Sequence, residues 1–164
     1  MWLSDLRATV LLAVAAAVLS GCGFRMQGAT RFPDVLATSH VATADRYTDF
    51  YRGLRVELEQ GDIELVDSVV AASAVIRIEQ DTTGQTVLTV SGRNVPTEYE
   101  VFYTVRYSVW VDGREVLPPR TLTALQDYTY DATLVLGKRR EEETIRAALA
   151  AELVRQVAQQ LSRL

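Results

Sequence analysis

The chain has 164 residues, with 17 basic and 21 acidic side chains, a formal net charge of −4, one histidine and one cysteine. This acidic balance excludes the strongly basic surface of nucleic-acid-binding proteins, and a single histidine excludes a multi-histidine metal site. The sequence also contains neither a Gly-rich phosphate loop nor a Gly-x-Ser-x-Gly nucleophile motif.

Residues 1–21 have the organisation of a secretory signal peptide. A short polar start precedes an apolar run from Ala8 to Leu19, and small residues follow at a cleavage point. The twelve residues of this run span roughly 18 Å as a helix. A bilayer core of about 30 Å is thicker than that, so a transmembrane helix is the weaker interpretation.

Cys22 is the residue that would carry a lipid. The sequence Leu-Ser-Gly-Cys, ending at Cys22, resembles the lipobox of bacterial lipoproteins, whose cysteine becomes the acylated first residue of the mature protein. The alternative is an ordinary free or buried thiol, but acylation removes the reactivity of a lone exported thiol. The residue after Cys22 is Gly23, whereas an Asp at this position would retain a lipoprotein in the inner membrane. We therefore expect a lipid-anchored protein on the periplasmic side of the outer membrane.

The mature chain is expected to be a tether followed by one domain. Residues 22–33 form the acylated cysteine and an irregular tether, and residues 34–164 form a single α/β domain. A first strand is predicted over Val35–Ala42. A helix is predicted from about Arg46 to Gln60, with Asp45 as its N-cap.

A β-rich block follows this helix. Residues 74–91 are β-branched segments interrupted near Gly84, and a single bent strand is favoured over two strands joined by a turn. From Glu98 to Val111, apolar and polar residues alternate, which predicts the clearest strand of the protein.

A hairpin then leads into the last predicted strand. Asp112 and Gly113 both tolerate positive φ and predict a two-residue turn. The returning strand runs to about Tyr130, and Pro118-Pro119 place its start at an edge or a bulge.

The last element is a long helix from about Arg139 to Ser162. Apolar residues recur along one side of it, and the acids Glu141–Glu143 are predicted to occupy its first turn, where the helix dipole favours them. Glu142 faces Arg146 four residues later.

These elements predict an α+β domain, an α/β sandwich with the order β-α-β-β-β-α. A four-stranded, mostly antiparallel sheet carries two helices packed on one face. The opposite face carries Phe102 and Trp110, which are candidate partner-facing residues. Isolated apolar residues are also normal on a protein surface, so the two readings stay open.

Strand directions place several cations at one end of this sheet. Arg93 lies in the turn after the bent strand, and Lys138, Arg139 and Arg140 follow the last strand, so both groups are expected at the same end. A right-handed crossover would bring Arg46 there as well. Such cations bind phosphates, although they could instead serve solubility and helix capping.

Three short patterns resemble a known family. Cys22-Gly23-Phe24 is followed by Gly28, Arg93-Asn94 precedes Thr97-Glu98-Tyr99, and Leu136-Gly137-Lys138 leads into the long helix. Their order along the chain resembles LptE (RlpB), the lipopolysaccharide-assembly lipoproteins. An extended polar tail after the last helix is missing from this sequence.

The resemblance implies a non-enzymatic plug inside an outer-membrane β-barrel translocon of the LptD type, which helps to assemble the barrel and delivers lipopolysaccharide to the outer leaflet. It also implies that Arg93 and Lys138 contact lipopolysaccharide. The strand directions add Arg139 and Arg140 to this hypothesis, because they lie beside Lys138. No catalytic residue, metal or nucleic acid is expected, and no cofactor other than the covalent lipid on Cys22.

Two other functions remain as alternatives. An auxiliary lipoprotein of a periplasmic phospholipid-trafficking system would share the anchor and the mixed α/β build. An anchored hydrolase would need a nucleophile, a base and an orienting group, and one His with scattered Asp and Glu provides no convincing set. The partner that copurifies with the chain distinguishes the first alternative.

Overall fold

The computed structural model describes residues 30–164, which form two helices on one face of a five-stranded sheet. The sheet order is β2-β1-β3-β4-β5; β1 is parallel to β2 and β3, and the other pairs are antiparallel. The elements are β1 (Thr38–Ala42), α1 (Asp49–Gln60), β2 (Glu64–Leu65), β3 (Ala74–Val90), β4 (Pro96–Val111), β5 (Arg114–Thr129) and α2 (Val135–Leu161). The predicted α+β class with two helices is confirmed. The predicted signal peptide, Cys22 and most of the predicted tether lie outside the described residues.

The predicted count of four strands is wrong because β2 was missed. This strand has only two residues, too few to show an alternating pattern, and backbone bonds hold it beside β1: Glu64 N donates to Ala37 O at 2.8 Å and Val66 N to Ser39 O at 3.0 Å. The first strand also begins later than predicted. Residues Asp34–Leu36 form a single 3-10 turn that buries Leu36 completely.

Thr48, and not Asp45, is the N-cap of α1. The Thr48 hydroxyl accepts a hydrogen bond from Tyr51 N at 3.2 Å, so the helix begins three residues later than predicted. Asp45 caps the preceding turn instead, where its carboxylate accepts from Tyr47 N at 2.7 Å. Two residues that cap helices well lie three positions apart here, and the one followed directly by the helical hydrogen bonds defines the helix start.

One face of β4 forms the floor of the core, as its alternation predicted. Every second residue from Val101 to Val109 is buried, and the helices cover them with Phe50, Leu54 and Leu58 of α1 and a stripe along α2. The two helices approach closely at Gly53, where an added Cβ would lie 3.1 Å from Val154.

Residues 74–90 form one continuous strand, which confirms the favoured alternative for this segment. Its pairing with β4 shifts register between Ile78 and Gln80 and again between Val87 and Thr89, which marks bulges. Gly84 lies opposite Phe102, whose ring occupies the space that a side chain would need: a Cβ at Gly84 would lie 2.7 Å from it.

The hairpin between β4 and β5 has the predicted turn. Asp112 and Gly113 have φ values of 48° and 75°, as a two-residue turn of this kind requires. Pro118-Pro119 interrupt the regular pairing between the Leu117 and Arg120 positions, on a strand at the outer edge of the sheet. The two prolines therefore lie both on an edge strand and at an irregularity in the pairing, which are the places where a sheet tolerates proline.

Helix α2 begins at Val135, four residues before the predicted start. Asp131 caps a turn that leads into it, accepting from Thr133 N at 2.8 Å, and Lys138 N donates to Leu134 O at 2.9 Å. Gly137 is tolerated inside this exposed part of the helix. The acids Glu141–Glu143 consequently lie beyond the first turn, which corrects their predicted placement. The predicted pairing of Glu142 with Arg146 is confirmed.

Candidate functional site

The turn between β3 and β4 carries Arg93 at an exposed position. Ser91 N donates to Val95 O at 2.8 Å and Asn94 N donates to Ser91 O at 2.9 Å, which closes the turn. Asn94 takes the positive φ of 59° that this geometry requires, and asparagine tolerates that conformation. The turn therefore presents Arg93 from a hydrogen-bonded frame.

The first turns of α2 carry Lys138, Arg139 and Arg140. They lie before Ile145, the first residue of the helix that enters the core, so this part of α2 extends past the core along the sheet. No residue of 135–144 is buried.

A backbone bond ties these two cationic segments to the same end of the sheet. Tyr130 N, just after β5, donates to Thr97 O, just after the turn, at 2.8 Å. Arg93, Lys138, Arg139 and Arg140 therefore lie at one end, which we call the cationic end, as the strand directions predicted.

Arg46 does not lie at the cationic end, and that expectation is wrong. Thr48 donates to Asp81 at 2.5 Å, which places the loop after β1 beside the middle of β3. From Asp81 to the end of β3 at Val90 is about 30 Å at ~3.3 Å per residue. Strand β1 is parallel to β3, as the predicted crossover requires, but it pairs only with Ala74–Arg77 of the much longer β3. Arg46 instead faces Asp67 at 3.8 Å.

Three tyrosines form a cluster under the start of α2. The rings of Tyr99 and Tyr128 stack at 5.8 Å between centroids, and Tyr130 meets Tyr99 edge-on at 5.2 Å. Lys138 Nζ lies 5.8 Å from the centroid of the Tyr128 ring. Burial, with a smaller contribution from the nearby Glu142 carboxylate, raises the pKa of Tyr128. Spacing alone did not predict this cluster, because its members come from two strands and the segment after them.

The four cations differ in their exposure and in whether they form an ion pair within the protein. The Lys138 side chain is only 17% exposed and its ammonium donates to Glu141 at 2.7 Å. By contrast, Arg93, Arg139 and Arg140 are exposed, and among residues 30–164 none of them forms an ion pair. Three guanidinium groups are thus available for an anionic ligand, while Lys138 is positioned by the protein itself.

Phe102 and Trp110, the candidate partner-facing residues, lie on the sheet face away from the helices and are each half-buried. The Phe102 ring covers Gly84, and Arg77 lies 4.6 Å from the centroid of Trp110. Both side chains thus have contacts within the sheet, and partner contact by either stays a prediction.

The only histidine lies far from the cationic end and has a local partner. The Nδ1 atom of the buried His40 is 2.8 Å from Val66 O. In the part of the chain that the structure describes, no group of three His, Cys, Asp or Glu side chains is arranged to hold a metal ion. Neither α1 nor α2 combines the length and apolar character needed to cross a membrane.

Solved structures of bacterial lipoproteins share this fold. Lipoprotein B from Nitrosomonas europaea superimposes with a TM-score of 0.71 at 18% identity, over 85% of this chain and 90% of that one. The rare lipoprotein B from Shewanella oneidensis gives 0.67 at 23% identity, over 77% and 94%.

Sequence relatives carry a common name. The LPS-assembly lipoprotein LptE of Yersinia enterocolitica is 27% identical over 94% of this chain and 72% of its own length, and that of Pectobacterium atrosepticum is 25% identical over 94% and 82%. The family model for LptE, described as lipopolysaccharide-assembly, matches residues 36–161, which include both helices, all five strands and the cationic end. The chain belongs to the LptE family of lipopolysaccharide-assembly lipoproteins.

Proposed function

We propose that this protein binds lipopolysaccharide through its cationic end and plugs an outer-membrane β-barrel of the LptD type, which it helps to assemble. The observation that carries the binding is the grouping of four cations at one end of a protein with a net charge of −4. Lipopolysaccharide carries phosphates on its lipid A part, and guanidinium groups bind phosphate with two parallel hydrogen bonds. The role is non-enzymatic, with the covalent lipid on Cys22 as the only cofactor.

The partner role is supported by an edge of the sheet. Beyond Arg77, the outer edge of β3 pairs with no strand of the described residues, and from Thr82 to Val90 it contains neither a charged residue nor a proline. Exposed edges are usually protected by such residues, as Pro118-Pro119 protect β5. An edge left unprotected is expected where a partner encloses the protein. No feature of residues 30–164 favours the phospholipid-trafficking alternative over this one.

Reversing the three exposed charges tests ligand binding. The variant Arg93→Asp, Arg139→Asp, Arg140→Asp is expected to bind lipopolysaccharide about tenfold more weakly or worse, since losing one charge-assisted contact already costs about that much. Binding is measured by titrating purified protein with fluorescent lipopolysaccharide. Lys138→Gln is measured separately, because that side chain also packs on Tyr128.

A matched control has the same change in net charge. Arg114, Arg155 and Arg163 are exposed and lie away from the cationic end, so replacing all three by Asp should leave the affinity within about twofold. Equal losses of affinity in the two triple variants would mean that net charge alone causes the effect, and would remove the cationic end from the proposal.

The partner is tested by affinity purification. The lipid-modified protein, captured from detergent-solubilised outer membranes, is expected to retain a large β-barrel protein in a fixed ratio. Recovery of a transporter complex or a tunnel-forming protein instead would favour phospholipid trafficking, and recovery of no barrel would refute the plug.

A further inference from the structure

Three apolar residues stand exposed at the beginning of α2. Leu134, Val135 and Leu136 are 58%, 43% and 79% exposed, and we call them the apolar tip. They lie before Ile145, where the helix first meets the core, so none of them contributes to the packing that holds the fold together. Isolated exposed apolar residues are ordinary, but a consecutive run of three at a helix end is an exposed patch.

Each residue of the apolar tip has a cation one helical turn later. Leu134 precedes Lys138 by four residues, Val135 precedes Arg139 and Leu136 precedes Arg140. Residues four apart lie beside each other on a helix, so an apolar group and a cation are paired along the helix axis at three successive positions. The apolar groups are outermost and the cations lie behind them.

The neighbouring turn extends the apolar surface. Val90 and Val95 flank this turn and are 50% and 43% exposed. Val87, 43% exposed, pairs with Tyr99, whose ring stacks on Tyr128 beneath Lys138. Apolar side chains and cations thus occupy the same end of the sheet on two separate segments.

We propose that the apolar tip binds acyl chains of the same lipopolysaccharide molecule whose phosphates the cationic end binds. This inference rests on the proposed function. A purely apolar protein partner would cover the tip but bury cations without counter-charges, which is costly. An anionic amphiphile satisfies both groups, because its acyl chains meet Leu134 and Leu136 while its phosphates meet Arg139 and Arg140.

The position of the anchor favours a single lipid molecule over the anchoring bilayer. Thr30 donates to Glu57 at 2.8 Å beside the end of α1, which is the end of the domain opposite the cationic end. The eight residues from Cys22 to Ala29 span at most about 28 Å, whereas α2 alone is about 40 Å long. The apolar tip therefore lies at the end of the domain far from the membrane leaflet that Cys22 would enter.

The test compares two forms of the ligand. The mature chain carrying Cys22→Ser is titrated with intact lipopolysaccharide and with fully deacylated lipopolysaccharide, which keeps the phosphates. Leu134→Ser, Leu136→Ser is expected to weaken binding of the intact form about five- to tenfold and to leave the deacylated form unchanged. Val70→Ser is the matched control, because Val70 is 96% exposed and lies near the start of β3, at the opposite end.

The possible outcomes separate this inference from the proposed function. If the tip variant binds both forms as the unchanged chain does, the inference is wrong while lipopolysaccharide binding stands. If the tip variant loses both forms equally, the tip supports the cations and does not contact acyl chains. If the unchanged chain binds neither form, the proposed function fails as well.

Vesicles of anionic phospholipid distinguish the two sources of acyl chains. We expect these vesicles to bind the tip variant and the unchanged chain alike. A loss on vesicles as large as the loss on lipopolysaccharide would make a bilayer the occupant and overturn the assignment. Leu134→Met, Leu136→Met keeps the apolar surface and is expected to retain full affinity, which excludes a general effect of mutating the helix end.

Discussion

Raising the pH from 9 to 11.5 is expected to lower the free energy of unfolding by about 2 to 4 kcal/mol, through two buried tyrosines. Burial, with a smaller opposing effect of Arg120, raises the pKa of Tyr107 to about 12. Burial and then the hydrogen bond to Asp81 raise the pKa of Tyr103 further still. Both rings are almost fully inaccessible to solvent.

The direction of the pH effect on the free energy of unfolding follows from the protonation state of the tyrosines that the fold prefers. The unfolded chain loses both phenolic protons near pH 10, whereas the folded chain holds them, so the stabilisation is complete below pH 10. It is lost as the pH rises through the folded pKa, at about 1.4 kcal/mol per pH unit for each tyrosine. Urea unfolding at a series of pH values measures the effect.

Three variants separate these tyrosines from general alkaline damage. Tyr107→Phe removes the donor to Gln160, a bond of 2.6 Å, and Tyr103→Phe removes the donor to Asp81 at 2.8 Å, so each is expected to cost about 1–3 kcal/mol at pH 7 and to flatten the alkaline decline. Tyr47→Phe, at a residue that is 84% exposed, should change neither. An unaltered decline in both core variants would show that other groups cause it.

Tyr103 also explains why α1 sits where it does. Asp81 on β3 accepts from Tyr103 and from Thr48, the cap of α1, while Tyr103 accepts from Phe50 N at 3.3 Å. The helix start is thus fixed by a contact between residues distant in sequence. Local capping preference could not distinguish Thr48 from Asp45, because both residue types cap helices well.

Features with a strong local signal could be read from the sequence. The alternation in β4, the turn at Asp112-Gly113 and the apolar stripe of α2 each involve neighbouring residues only, and all three are present. Strand β2 could not be read, since two residues have no period. The predicted start of α2 is four residues too late because the acids Glu141–Glu143 favour the first turn of a helix, whereas Asp131 begins the turn into the helix.

The same distinction applies to the candidate site. Counting strand directions placed Arg93 and Lys138 at one end, because direction does not depend on strand length. The position of Arg46 does depend on strand length. Because β1 pairs with only the start of β3, the loop after β1 lies away from the cationic end. The tyrosine cluster required the pairing of β4 with β5, and the apolar tip required the true start of α2; only the structure supplies them.

The lipid proposed for Cys22 and the proposed ligand site at the other end of the domain are expected to act independently. If residues 23–164 are exported behind an ordinary cleavable signal peptide, the protein should move almost entirely from the membrane to the soluble periplasmic fraction. Each buried CH₂ of an attached acyl chain contributes about 0.8 kcal/mol to anchoring, so removing more than one chain removes stable attachment. Fractionation of overproducing cells, in which the chain outnumbers any barrel partner, measures this shift.

The control is a chain with Met26→Ser, a substitution in the tether that keeps Cys22. The soluble chain should bind lipopolysaccharide with the same affinity as this control, because the described fold begins at Thr30, beside Glu57 and far from Arg93. Mass spectrometry should find lipid on the Cys22 protein alone. Retention of the lipid-free chain in salt-washed membranes would mean that another surface anchors it. A drop in its affinity would mean that the lipid or its membrane takes part in binding, and that the two ends of the domain are coupled.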